Sequence, residues 1–208
     1  MIRTFPFPPE SRMKHLLSSC LLAFALAAPA AAATYEIDAR HTQVFFTYGH
    51  GGYSNLKGRL NEVSGRFDFD PADPSRSSIE VTLPMSSLST GVPKLDAHLA
   101  SADFFDVAQF PTASFKSTAV TVRGENRLSV AGDLSIHGVT RPVVFEVTIN
   151  STAPSARSKM PAAGFDATAT IRRSDFGVDG MLGAVPDEVR LDISMEARVP
   201  APATPAAG

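Results

Sequence analysis

Beyond the first 33 residues, the side chains best suited to metal or acid–base chemistry are four histidines, His41, His50, His98 and His137, and two groups of acids. A zinc site needs three or four convergent His, Cys or carboxylate ligands at recognisable spacing. On one continuous strand His41 and His50 would point to opposite faces, because side chains alternate with a period of two. His98 lies between Ala97 and Leu99, and His137 closes an alternating run. None of these spacings describes a metal centre. Asp68, Asp70 and Asp73 imitate part of a calcium loop, but Pro71 and Pro74 interrupt them and no closing glutamate follows, so a turn is expected. Asp175, Asp179, Asp187 and Glu188 could supply paired carboxylates for acid–base work, although carboxylates in polar loops are ordinarily just solvated. No Gly-x-Ser-x-Gly elbow, phosphate-binding glycine loop or dinucleotide fingerprint occurs. The expectation is a protein without catalytic residues, metal or cofactor.

The elements that position these groups read as strands. In Arg190-Leu191-Asp192-Ile193-Ser194-Met195-Glu196-Ala197-Arg198-Val199 every second residue is apolar and the rest are charged or Ser. That period places the apolar side chains on one face, as in an antiparallel sheet with one wet side. Thr42 to His50, Ser64 to Asp70, Ile79 to Leu83, Thr112 to Val122, Arg127 to His137, Val143 to Ile149 and Phe165 to Ile171 repeat the pattern. Ala113, Phe115, Ala119 and Thr121 share one face of their strand, and Gly138-Val139-Thr140 is the turn after His137. Between Pro84 and Pro111 the spacing changes: Val92, Leu95, Leu99 and Ala102 recur at threes and fours, which is helical, with Pro93 suited to a first turn. Ser151 to Ala163 is a loop. An all-β, antiparallel, eight-stranded barrel with a short helical excursion closing one end accounts for these segments. Its inward residues mix Phe67, Phe69, Phe115 and Phe145 with Gly65, Ala113, Gly132, Ala167, Ala169 and Ala197. Small residues must face large ones or leave space. Composition alone leaves a filled core and an apolar cavity both open.

The chain ends point to export. Met13-Lys14-His15 is a short basic start, Leu16 to Ala28 an apolar run, and Ala30 to Ala33 small residues suited to cleavage. The run is too short to span a bilayer at the roughly 20 residues needed. Residues 1–33 are therefore expected to be a signal peptide, with Met13 the true start, and residues 34–199 the barrel domain. Residues 200–208, rich in Pro and Ala, are expected to be a disordered tail. The single cysteine, Cys20, would leave with the leader, which fits a periplasmic protein needing no disulfide. With 19 basic and 21 acidic residues, interspersed, the net charge is −2, and nucleic acid is not an expected partner.

Several phrases, taken in order, resemble the YceI-like polyisoprenoid-binding proteins. They are Tyr35-x-Ile37-Asp38, His41-Thr42, Phe46 and His50, then Gly65-x-Phe67-x-Phe69-Asp70. The most specific is Asp96-x-His98-Leu99-x-Ser101-x-Asp103-Phe104-Phe105-Asp106 with Phe110-Pro111. Val130-x-Gly132-x-Leu134-x-Ile136-x-Gly138-x-Thr140 and Arg173-Ser174-Asp175-Phe176-Gly177-Val178 complete the match. The resemblance spans Tyr35 to Val199. It departs at Tyr35, where a tryptophan is common, at Leu60, where a phenylalanine is common, and at Pro186, where a glycine often stands.

The resemblance implies a lipocalin-like barrel in the periplasm with an apolar tunnel for an isoprenoid chain, such as a polyprenyl phosphate or a quinone tail. Phe67, Phe69, Phe115 and Phe145 are then candidates for the tunnel wall, and Leu95, Leu99, Phe104, Phe105 and Phe176 for its closed end. Lys94, Arg172 and Arg173 are candidates for contact with an anionic headgroup. Barrels of the family often pair, so a homodimer is a further expectation. Two alternatives stay open: a binder of fatty acids or other apolar chains in the same tunnel, and a non-carrier structural or stress protein.

Overall fold

The computed structural model describes residues 33–200. The expected leader up to residue 32, with Met13 and Cys20, and the expected tail from residue 201 lie outside the described residues. Ala33, the last residue of that expected leader, is paired with Phe69 in the first strand.

Among the described residues, eleven antiparallel strands and one α-helix follow one another, with three short 3-10 turns between strands. They are β1 (Ala33–Ile37), β2 (Gln43–His50), β3 (Ser54–Leu60), β4 (Ser64–Phe69), β5 (Ser78–Pro84), β6 (Leu88–Ser89), α1 (Pro93–Ala100), β7 (Thr112–Gly124), β8 (Arg127–Ile136), β9 (Val139–Ser151), β10 (Ala162–Arg172) and β11 (Glu188–Arg198). Eight of them close the barrel in the order β1-β4-β5-β7-β8-β9-β10-β11, sealed by β1 pairing with β11. The remaining three, β2, β3 and β6, extend from the edge of β11. β11 therefore serves two partners along one edge: β2 over Val189–Ser194 and β1 at Ala197–Arg198. The neighbouring ladder is shorter than its strands. β9 and β10 pair only from Ser151/Gly164 to Glu146/Thr168, and beyond that point the turn Arg173–Phe176 packs against β9.

Alternation builds the interior as the sequence predicts on most strands. On β8 Leu128, Val130, Gly132 and Leu134 are buried while Arg127 and Asp133 face water. Two local corrections have clear causes. β7 carries a bulge between Ser117 and Ala119, where one extra residue reverses the phase of the strand. Val120, rather than Ala119 or Thr121, consequently reaches the interior. The turn between β8 and β9 is His137-Gly138, not Gly138-Val139-Thr140. Both residues take positive φ, 53° and 72°, the geometry of a two-residue turn that matches strand twist. The helix begins at Pro93 and buries Leu99, but Val92 stays outside as its exposed cap residue.

Small residues face large ones at defined points. The Phe46 ring lies over Gly58 and the Phe115 ring over Gly132; a Cβ at either glycine would overlap the ring. At Gly132 it would also sit 2.5 Å from the Lys116 carbonyl oxygen, a backbone atom that cannot step aside. Gly132→Val should therefore cost about 3 kcal/mol, the upper end for overpacking. The check is a lower urea midpoint at unchanged denaturant sensitivity.

Candidate functional site

The barrel interior is divided into two apolar cavities. The first, about 130 Å³, is lined by Phe67 and Phe69 of β4, Ile79 and Val81 of β5, Phe115 of β7, Phe145 and Val147 of β9, Phe165 of β10 and Ile193 of β11, among others. Its floor is an aromatic cluster. Tyr35 stacks on Phe67 with ring centroids 5.1 Å apart, and Phe165 meets Phe67 and Phe69 edge to face at 5.5 and 5.3 Å. The second cavity, about 120 Å³, lies toward α1 and is walled by Phe46, Tyr48, Leu60, Leu99, Phe104, Phe105, Phe176, Val178 and Leu191, with others. Burial pushes the Tyr35 and Tyr48 phenols up from their ordinary pKa, so both are neutral.

The end near α1 is closed by two stitched segments. Asp96 of the helix accepts hydrogen bonds from the Thr90 backbone N–H and hydroxyl, both at 2.6 Å, which fixes the turn leading into α1. Those bonds hold its carboxyl below the usual carboxylate range. The second segment, residues 177–187, is held by Arg173. Its buried guanidinium donates to four backbone carbonyls, those of Val178 and Gly180 at 2.8 Å, Val185 at 3.0 Å and Pro186 at 3.1 Å. A Cβ at Gly180 would overlap the Asp103 carbonyl, so this segment lies directly on the Phe104 turn.

A YceI-like domain model matches residues 35–197. The chain belongs to the YceI-like domain family. It is 43% identical over 176 residues to a UPF0312 protein of Pseudomonas putida, covering 82% of this chain and 88% of that one. Among solved structures it is similar to Burkholderia cenocepacia BcnA, with TM-score 0.70, 26% identity, and coverage of 77% of this chain and 98% of that one. It also shares its fold with a polyisoprenoid binding domain from Saccharophagus degradans, with TM-score 0.60, 14% identity, and coverage of 81% and 99%.

In this YceI-like barrel Phe67, Phe69, Phe115 and Phe145 line the first cavity, and Leu99, Phe104, Phe105 and Phe176 the second. Leu95 packs against the core behind the second cavity without lining it. The aromatic residues Tyr35, Phe46, Tyr48 and Phe165 belong to the same interior and were not among the sequence candidates. Phe165 heads an inward run with Ala167, Ala169 and Ile171, so its alternation carried the signal. At the departures from the family pattern, Tyr35 keeps the aromatic stack, Leu60 lines the second cavity, and Pro186 packs close to Gly49.

The three basic candidates have different surroundings. Lys94 is exposed on the first turn of α1, Arg172 is exposed and paired with Asp187 at 2.9 Å, and Arg173 is spent on its four carbonyls. Of the three, Arg173 lines the second cavity while its guanidinium serves those carbonyls, and Arg172 shares its charge with Asp187. The histidines are equally dispersed. His98 packs edge to face on Phe104 at 4.9 Å, His137 on Phe110 at 4.6 Å, and His50 ends β2. His41 comes together with Asp38 and Glu196, a grouping the spacing of the histidines did not reveal. Arg198 supplies the positive charge there, 3.0 Å from Asp38 and 3.4 Å from Glu196. In the aspartate-rich turn Asp70 accepts from the Ala72 and Asp73 backbone N–H groups, which makes its carboxylate part of the turn itself.

Asp187 is the acid most tightly held. It accepts from the Ser174 N–H at 2.9 Å, the Ser174 hydroxyl at 2.8 Å and Arg172 Nε at 2.9 Å, which together lower its pKa to about 2. A carboxylate with a depressed folded-state pKa stabilises the fold above its unfolded value, and that stabilisation fades as pH falls through the folded value. The melting-temperature gap between the wild type and Asp187→Asn should therefore be full at pH 5 and shrink between about pH 4 and pH 2. A gap independent of pH over that range would show that the carboxylate charge contributes nothing.

Proposed function

We propose that this protein binds an isoprenoid lipid, a polyprenyl phosphate or a quinone tail, inside the barrel and carries or stores it in the periplasm. It acts by binding rather than by catalysis. The observation that carries this reading is the pair of interior cavities walled mostly by Phe, Val, Ile and Leu side chains. Burying each CH₂ contributes roughly 0.8 kcal/mol, so a prenyl chain can be held tightly with almost no polar contact. The fold neighbour from Saccharophagus degradans, described as a polyisoprenoid binding domain, supports the same ligand class. The export-type leader in the sequence supports the compartment. The wall would be formed by Phe67, Phe69, Phe115 and Phe145, and the closed end by Leu99, Phe104, Phe105 and Phe176.

The test is solvent extraction of protein purified after export, followed by mass spectrometry of the extract. A prenyl chain in near-stoichiometric amount is the expected result. A fatty acid in its place would keep the binding site and overturn the isoprenoid assignment. Folded protein that carries no lipid and takes none up from prenyl-loaded vesicles would overturn the carrier reading as well.

A further inference from the structure

The two cavities change over at one level on every strand they share. On β10, Ala167 lines the first and Ile171 the second, and Ala169 between them lines neither. On β8 the sequence of inward residues runs from Val130 in the first to Ile136 in the second, with Gly132 and Leu134 in neither. On β5 it runs from Val81 to Leu83, and Leu83, again in neither, precedes Met85 of the second. On β11 and β2 the change falls between consecutive inward residues, Ile193 and Leu191, Val44 and Phe46. The residues at the changeover are closely packed: Leu134 is 5% exposed, Leu83 7% and Ala169 8%.

Each chamber is small for a lipid. An apolar cavity of about 150 Å³ holds a single benzene ring. Chambers of about 130 and 120 Å³ are of the same order, room for one or two isoprene units each. A longer chain can be buried only by passing from one chamber into the other. We propose that Leu134 and Ala169 form a waist that sets which chain lengths the barrel accepts. The inference rests on the lipid-binding reading above and adds to it the residues that sort ligands by length. Ala169 provides the passage, because its side chain is only a methyl, whereas Gly132, also between the chambers, is covered by the Phe115 ring. Leu134 narrows it, and must turn aside before a long chain can thread both chambers.

The experiment compares geraniol, of ten carbons, with geranylgeraniol, of twenty, binding to the delipidated full chain and read by native mass spectrometry. Each methylene denied burial lowers affinity about fourfold. Ala169→Leu should therefore weaken geranylgeraniol by at least about tenfold and change geraniol by less than about threefold. Leu134→Ala should shift the preference the opposite way, toward the longer chain. Thermal melting establishes that each variant is folded, and Ala169→Val replaces Ala169→Leu where the larger residue prevents folding. Equal losses for both alcohols, or an unchanged length preference in both variants, would overturn the waist while leaving the lipid reading standing. Wild-type protein that binds neither alcohol would overturn the lipid reading, and the waist with it.

Discussion

Replacing Arg173 by methionine is expected to lower stability by about 3 kcal/mol or more and to release residues 177–187 from the barrel end. Hydrogen bonds from a charged donor each contribute about 1.5–3 kcal/mol, and a buried acceptor left without a partner costs about 1–3 kcal/mol. Arg173 serves four carbonyls of one segment at once. The contributions are not additive, which keeps the figure well below their sum. Arg173→Lys should rescue little, because an ammonium cannot reproduce the planar fork that reaches Val178, Gly180, Val185 and Pro186 together. Denaturant unfolding measures the loss. Limited proteolysis should then cut between residues 177 and 187 in both variants, before global unfolding, and spare the wild type. Uncut variants of wild-type stability would mean that packing on the Phe104 turn, not the guanidinium, holds this segment.

Phe69→Ala is expected to cost about 3–5 kcal/mol, the range for emptying a buried aromatic site. Phe69 is 2% exposed and packs against Tyr35, Phe67 and Phe165 at ring distances of 6.1, 6.0 and 5.3 Å. β4 and β10, which carry three of these rings, approach from opposite sides of β1 and β11, so the site has little freedom to collapse. Urea unfolding of the delipidated protein reads the cost directly. The same substitution enlarges the first chamber. A ligand that binds only the folded state stabilises it in proportion to its affinity. Saturating prenyl alcohol should thus recover more stability in Phe69→Ala than in the wild type. Equal recovery in both would show that the bound chain does not reach the aromatic end.

Much of this architecture was legible because alternating burial leaves an alternating sequence. β4, β8, β10 and β11 each place apolar residues on the inner face with a period of two, and the helical spacing around Leu95 and Leu99 stands apart from it. The expected wall residues Phe67, Phe69, Phe115 and Phe145 all border the first cavity. What escaped depends on contacts between distant segments. β3 is Ser-Asn-Leu-Lys-Gly-Arg-Leu, and its Gly58 makes sense only with the Phe46 ring above it. The bulge at Ser117–Ala119 has no composition of its own. Arg173 looks like a surface cation in the sequence, because nothing local shows that four carbonyls from farther along the chain will surround it. The division of the interior is likewise invisible along any one strand and appears only when the strands are compared at one level.

The short ladder between β9 and β10 gives the barrel a direction of least resistance. Beyond Glu146 and Thr168 no strand pairing joins these two neighbours, so separating them there breaks no ladder. What holds the wall together is the apolar packing of the Arg173–Phe176 turn, with Phe176 2% exposed. Side-chain packing can be undone and remade over a few ångströms, whereas a continuous ladder resists opening along its whole length. The barrel thus combines an aromatic base with an upper wall whose β9–β10 seam is closed by side-chain packing. Amide exchange should accordingly be faster on β9 and β10 beyond Glu146 and Thr168 than on the laddered stretch below them, which hydrogen-exchange mass spectrometry would read.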